Sequence, residues 1–277
     1  MGKISYTWSL MKASMGVLKA DKELLVFAFL SSVCCIIVLA SFALPMIMTE
    51  SVMIPDENAT TEQQVIFYSI LFAFYFCNYF VIVFFNAAII SCAIIRMKGG
   101  NPTLGDGFRA SFSRLPYIAG WALISATVGL ILRIIEDKNE KIGRFIAGLL
   151  GMAWTVMTFL AVPVLVVERK GPIATLKEST KLLKKTWGQQ LIGNFGFGLL
   201  FFLLAIPGIG IIAAGFFIGG KAILVFIGLG ILYFIILGLI QSTLQAIFQA
   251  AVYLYAREGA VGAGFDENML KGAMRTR

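Results

Sequence analysis

Residues 24–48 read LLVFAFLSSVCCIIVLASFALPMIM, twenty-five residues without one Lys, Arg, Asp or Glu. Charge returns on both sides, in Asp21-Lys22-Glu23 and at Glu50. A charged side chain at the centre of a bilayer costs roughly 2.5–3.5 kcal/mol. About 20 apolar residues in a helix cross the ~30 Å of hydrocarbon. The stretch therefore reads as a membrane span. Outward from it, the same exclusion of charge recurs over 65–95, 117–132, 145–167, 191–218 and 222–256. Lipid offers no partner to backbone N–H and C=O groups, so such segments must be helices.

The expected fold is all-α, a polytopic membrane bundle of six transmembrane helices forming a single integral membrane domain over 1–277. The composition agrees, with 59% hydrophobic and 14% charged residues, against about 45–50% and 25% in soluble domains. Connecting segments of about 20 residues or fewer are too short to build a second core.

The net charge is +8. In a soluble chain that balance would point towards nucleic acid; between apolar spans it points to loops held against anionic headgroups, with no nucleic-acid partner. With the N-terminus inside, segments 1–23, 96–116, 168–190 and 257–277 carry 18 of the 23 Lys and Arg residues. The opposite loop, 49–64, holds Glu50, Asp56, Glu57 and Glu62 and no basic residue. Loop 133–144 runs the other way, with Arg133, Lys138, Lys141 and Arg144. The balance predicts a multi-pass protein of the cytoplasmic membrane with both termini inside. Trp8, Trp121 and Trp187 fall near the inner interface, whereas Trp154 lies mid-span and needs an interior partner.

Three segments ahead of the helix pairs, about 4–20, 103–116 and 172–188, read as amphipathic helices lying in the headgroup plane. Their apolar stripes are Ile4, Trp8, Met11, Met15 and Leu18; Leu104, Phe108, Phe112 and Leu115; and Ile173, Leu176, Thr180, Leu183 and Trp187. The basic residues Lys177, Lys181, Lys184 and Lys185, with Arg109 and Arg114, are candidate contacts for anionic headgroups. An echo links the three: Ser14-x-x-Val17-Leu18, Ser111-x-x-Arg114-Leu115 and Ser179-x-x-Leu182-Leu183. It suggests a threefold repeat of interfacial helix, span, outer loop and span.

Pro163, then Glu168-Arg169-Lys170-Gly171-Pro172-Ile173, Leu176-Lys177-Glu178-Ser179, Trp187 and Gly193, form a pattern shared by several prokaryotic membrane families. The chain resembles an uncharacterised six-helix prokaryotic family, a domain of unknown function. It is distantly similar to the membrane domain found beside some glycerophosphodiester phosphodiesterases. The resemblance implies an inner-membrane protein and carries over no catalytic residue.

Polar side chains inside the spans are the candidate site. Tyr75, Asn78, Tyr79 and Asn86 share a face of the second span, Asn194 lies in the fifth, and Gln241 and Gln245 in the sixth. An unpaired amide in hydrocarbon is costly, so these groups either bind helix to helix or line a polar vestibule open to the cytoplasm. The fifth span carries Pro207, Gly208 and Gly210, a candidate helix break of the kind that marks transporter sites, with Gly215 and Gly219 at small-residue packing distance.

Enzyme chemistry finds little support. The chain has no histidine; its acids lie among Lys and Arg in the loops, and Cys34, Cys35, Cys77 and Cys92 lie within spans as small apolar packers. Neither metal nor cofactor is expected. Two classes remain: a non-enzymatic lipid-interacting or scaffold protein, and a transporter or facilitator for a neutral or lipid-like solute. A homo-oligomer is left open.

Overall fold

The computed structural model describes residues 3–49, 60–138 and 142–259, with Gly262 and Phe265. Among the described residues the chain is all-helical: α1 (Lys3–Ala20), α2 (Leu24–Thr49), α3 (Thr61–Met97), α4 (Leu104–Phe112), α5 (Leu115–Lys138), α6 (Ile142–Met157), α7 (Ala161–Glu168), α8 (Pro172–Ile218) and α9 (Ala222–Glu258). Six stretches are long and apolar enough to cross a membrane: Leu24–Ile47, Thr61–Met97, Leu115–Asp137, Ile142–Glu168, Gly198–Ile218 and Ala222–Glu258. Their outer faces are as apolar as a core. Phe145 on α6, Phe202 on α8 and Leu224 on α9 are 73%, 65% and 76% exposed. In water such continuous surface would drive aggregation, whereas against lipid tails it costs nothing.

The contacts divide the chain into two compact units. In the first (1–28, 92–104 and 184–277), α1 packs on α9. Leu10, Val17 and Leu18 of α1 are buried, as is the stretch of α9 from Ala250 to Leu254. Between α1 and α2, Asp21 is drawn out of water and receives both Arg96 Nε and Nη2 from the end of α3. Arg96 also donates to Asn101 Oδ1. Both glycines of the α8–α9 turn, Gly219 and Gly220, have positive φ, 76° and 59°, angles a Cβ penalises. Gly219 therefore serves the turn and not the helix packing expected of it.

In the second unit (29–91 and 105–183), α5 and α6 form a packed hairpin. Trp154 finds its interior partner in Trp121, the rings stacked 6.0 Å apart at 12°. Trp121 is buried to 4% exposure, so it is a core residue and not the interfacial anchor expected.

The fourth span is not one helix. It breaks over residues 158–160, between α6 and α7. Pro163 has no N–H for the carbonyl of Phe159, and its ring crowds that carbonyl. The interruption occurs where protein covers it, for Pro163, Leu160 and Val164 are buried. Ala161 N–H turns to Thr158 O, and Ser179 Oγ, itself buried, donates to Met157 O at 2.7 Å. Ser179→Ala should leave that carbonyl unpaired and cost about 1–3 kcal/mol. Thr155→Ala, which removes only an exposed bond to Gly151 O, should be near neutral. Thermal unfolding of the purified protein in detergent distinguishes the two.

The break expected at Pro207, Gly208 and Gly210 is absent: α8 is continuous from Pro172 to Ile218. Pro207 is exposed, and an opened turn there would present bare carbonyls to lipid. Tyr233 Oη donates to Leu204 O beside the missing bond. The continuity also absorbs the helix expected over 172–188, which is the first part of α8. The helix expected over 103–116 ends at Phe112, and α5 begins at Leu115 with Pro116 in its first turn, where no N–H is needed.

The buried edges of these leading helices differ from the apolar stripes. Helix α1 buries Leu10, Ala13, Ser14 and Val17 and, of its stripe, Leu18, while Trp8 is 55% exposed. Helix α4 buries Gly107 and Ser111 and leaves Phe112 exposed. Helix α8 buries Thr175, Ser179 and Leu182 and leaves Ile173 exposed. The small hydroxyl-bearing edge meets the protein because it admits the closest backbone approach.

Candidate functional site

Each amide in the spans must find a partner or water. Asn78 finds one on its own helix, Nδ2 donating to Phe74 O at 3.0 Å. Tyr75 and Tyr79 come together on α3, with ring centroids 6.5 Å apart. A Cβ on Gly129 of α5 would lie 3.3 Å from Tyr75 Cδ2. This pair is therefore an α3–α5 packing seam. Asn86 is half-buried and has no hydrogen-bond partner among the described residues. Gln241 and Gln245 on α9 are also half-buried without such a partner, but belong to the other unit. The side chain of Asn194 lies outside the described residues.

At the other end of α3, Tyr68 Oη donates to Asp137 Oδ2 at 3.3 Å, and Arg133 lies 3.3 Å from Asp137 Oδ1 and 3.7 Å from Glu136. Near this end, a cavity of about 200 Å³ opens between α2 and α3. Its walls are Leu39, Phe42, Ala43 and Met46 on α2, and Phe67, Ile70, Leu71 and Phe74 on α3. It is wholly apolar and holds none of the candidate polar residues.

The charged junction between α7 and α8 is the most built feature of the second unit. Lys170 Nζ sits 2.6 Å from Glu168 Oε2 and 2.9 Å from Glu178 Oε2. These carboxylates, Glu168 first, hold the Lys170 ammonium above the usual lysine range. Arg114 Nε donates to Val166 O at 2.9 Å, one of the free carbonyls at the end of α7. Arg169 caps the same helix in the left-handed conformation, φ 52° and ψ 40°. Burial, and then the neighbouring Arg169, makes Arg114 less basic than an ordinary arginine.

Arg109 on α4 and Lys177, Lys181 and Lys184 on α8 are exposed, with no ion pair among the described residues. The side chain of Lys185 lies outside them. Of the expected headgroup contacts, the structure thus gives Arg114 a fixed position and leaves four others exposed without an ion pair among the described residues. Sequence reasoning named Arg169 and Ser179 only within patterns, with no role of their own, and did not pair Asp21 with Arg96. A helix stop before Gly171-Pro172 was the available signal for Arg169; the other two join residues 22 and 75 positions apart.

The sequence pattern of one protein family, described as a family of unknown function (DUF6159), matches residues 65–265. That region runs from early α3 through α9 and includes the whole charged junction. No curated protein matches the chain.

Proposed function

The chain belongs to the DUF6159 family of unknown function, and we propose that it is a non-enzymatic protein of the cytoplasmic membrane that gathers anionic lipid on its inner face as a scaffold. The observation carrying this reading is the set of exposed cations without an ion pair among the described residues, Arg109, Lys177, Lys181 and Lys184, just ahead of apolar spans. Each such residue near an anionic surface contributes about 1 kcal/mol. The inner-side excess of Lys and Arg sets both termini in the cytoplasm.

The exposure pattern of the leading helices supports the in-plane arrangement. Trp8, Phe112 and Ile173 of the apolar stripes are exposed from the protein, as an interface helix requires of its lipid-facing side. Ser14, Ser111 and Ser179 support the threefold repeat. All three are buried, and two make the same bond, to Phe84 O and to Met157 O, each at 2.7 Å.

The test is lipid retention in phosphatidylcholine vesicles doped with phosphatidylglycerol, at low ionic strength. Lys177→Gln, Lys181→Gln and Lys184→Gln combined should lower phosphatidylglycerol retention on the order of a hundredfold. Unchanged retention would remove the reading. A second reading, a facilitator with a wet vestibule, is favoured by Asn86, half-buried without a partner among the described residues. Solute flux that disappears in Asn86→Leu, with lipid retention intact, would select it instead.

A further inference from the structure

We propose that Arg114 and Arg169 form a binding site for a phosphate-class anion, the phosphomonoester of a lipid headgroup or free phosphate, at the carboxyl end of α7. The inference rests on the lipid-gathering reading and names the site at which one headgroup is held.

Arg169 is the only non-glycine residue with positive φ among the described residues. That conformation costs an L-residue roughly 1–2 kcal/mol, and glycine would occupy it without strain. The chain instead carries a guanidinium there, at the helix end that Arg114 already occupies through Val166 O. The carboxylates nearby are engaged: Glu168 and Glu178 both close on Lys170. Neither arginine has an ion pair among the described residues. The carbonyl end of a helix offsets about half a charge, so two arginines share one helix end with too little negative charge there.

A tetrahedral phosphate meets that deficit. Its oxygens accept paired N–H donors from a guanidinium fork, a geometry ammonium groups do not reproduce. The apolar window of the fourth span ends at Glu168, so the next residue, Arg169, stands at headgroup depth in the proposed orientation.

The test uses the full-length protein and Arg169→Gly, which removes the cation and relieves the backbone, so the variant should be at least as stable as wild type. In one arm, native mass spectrometry counts phosphatidic acid retained from phosphatidylcholine nanodiscs. In the other, inorganic phosphate is titrated into detergent-solubilised protein. Arg169→Gly should lower retained phosphatidic acid about tenfold, the loss of one charge-assisted contact. A parallel loss of inorganic phosphate binding makes free phosphate a source as well; a loss in the lipid arm alone makes the headgroup the ligand. Wild-type behaviour of Arg169→Gly in both arms overturns the site. If lipid is then still lost on neutralising Lys177, Lys181 and Lys184, the broader reading survives without it. If wild type shows no preference for anionic lipid yet binds phosphate through Arg169, the site survives without that reading.

Discussion

Gly230→Leu and Gly208→Leu are expected to abolish the α8–α9 hairpin, and the corresponding alanine variants to destabilise it by about 1–3 kcal/mol each. A Cβ on Gly230 would collide with Ile212 Cγ1. On Gly208 it would meet Tyr233 Cδ1 at 2.6 Å and Phe234 Cζ at 2.9 Å. Neither neighbour retreats freely. The Tyr233 ring is pinned by its hydroxyl on Leu204 O, and Ile212 is β-branched and stiff at χ1. Gly215 extends the same seam, where a Cβ would come 2.6 Å from Phe226 Cβ. Gly228 and Gly238 on α9 have open space around them, so alanine there should be neutral or slightly stabilising through helix propensity. Thermal unfolding in detergent, with elution profile as a second readout, compares the two sets. Equal tolerance at Gly230 and Gly238 would show that the hairpin does not close along this line.

Arg96→Leu should destabilise the first unit more than Asp21→Asn. The two changes remove the same ion pair but leave different remnants. Without Arg96, the Asp21 carboxylate stays 8% exposed with its charge uncompensated, the expensive half of a broken buried pair. Without the Asp21 charge, Arg96, with 26% of its side chain exposed, turns to water and keeps Asn101. The expected order of thermal midpoints is wild type, then Asp21→Asn, then Arg96→Leu, with Asp21→Asn in the Arg96→Leu background recovering part of the loss. The reverse order would mean that Asp21 is better hydrated than its burial implies.

The six apolar stretches were legible because charge exclusion is a local rule, imposed residue by residue by the solvent around the chain. The expected span 222–256 and the helix Ala222–Glu258 agree closely for that reason. Proline is harder to read. Pro163 and Pro207 look alike in sequence, yet the helix opens near the first and continues through the second. The difference is what lies opposite: Ser179 can take up a freed carbonyl near Pro163, whereas Pro207 is exposed on an apolar face. The apolar stripes alone did not say which edge of each leading helix meets the protein, for a related reason. In a membrane, large apolar side chains have no need of the protein interior, so Ile173 turns outward while Thr175 and Ser179 pack inside.

At the candidate site the same division holds. The basic residues ahead of the spans could be named from their spacing, but nothing in the spacing says that Lys170 is claimed by two carboxylates while Arg169, at the helix end that Arg114 bonds, has no ion pair among the described residues. Asn78, which read as either a helix-to-helix tie or a vestibule residue, bonds its own helix at Phe74 O.

The amino-acid sequence by itself determined that this protein is helical and where it is apolar enough to enter a bilayer, since those depend on each segment's own free energy of transfer. Only the tertiary structure decided which proline breaks a helix, which glycines are crossed by another chain segment, and which cations have a carboxylate partner. Those outcomes depend on atoms brought together from distant positions, and a partner's identity is not written in the residue it satisfies.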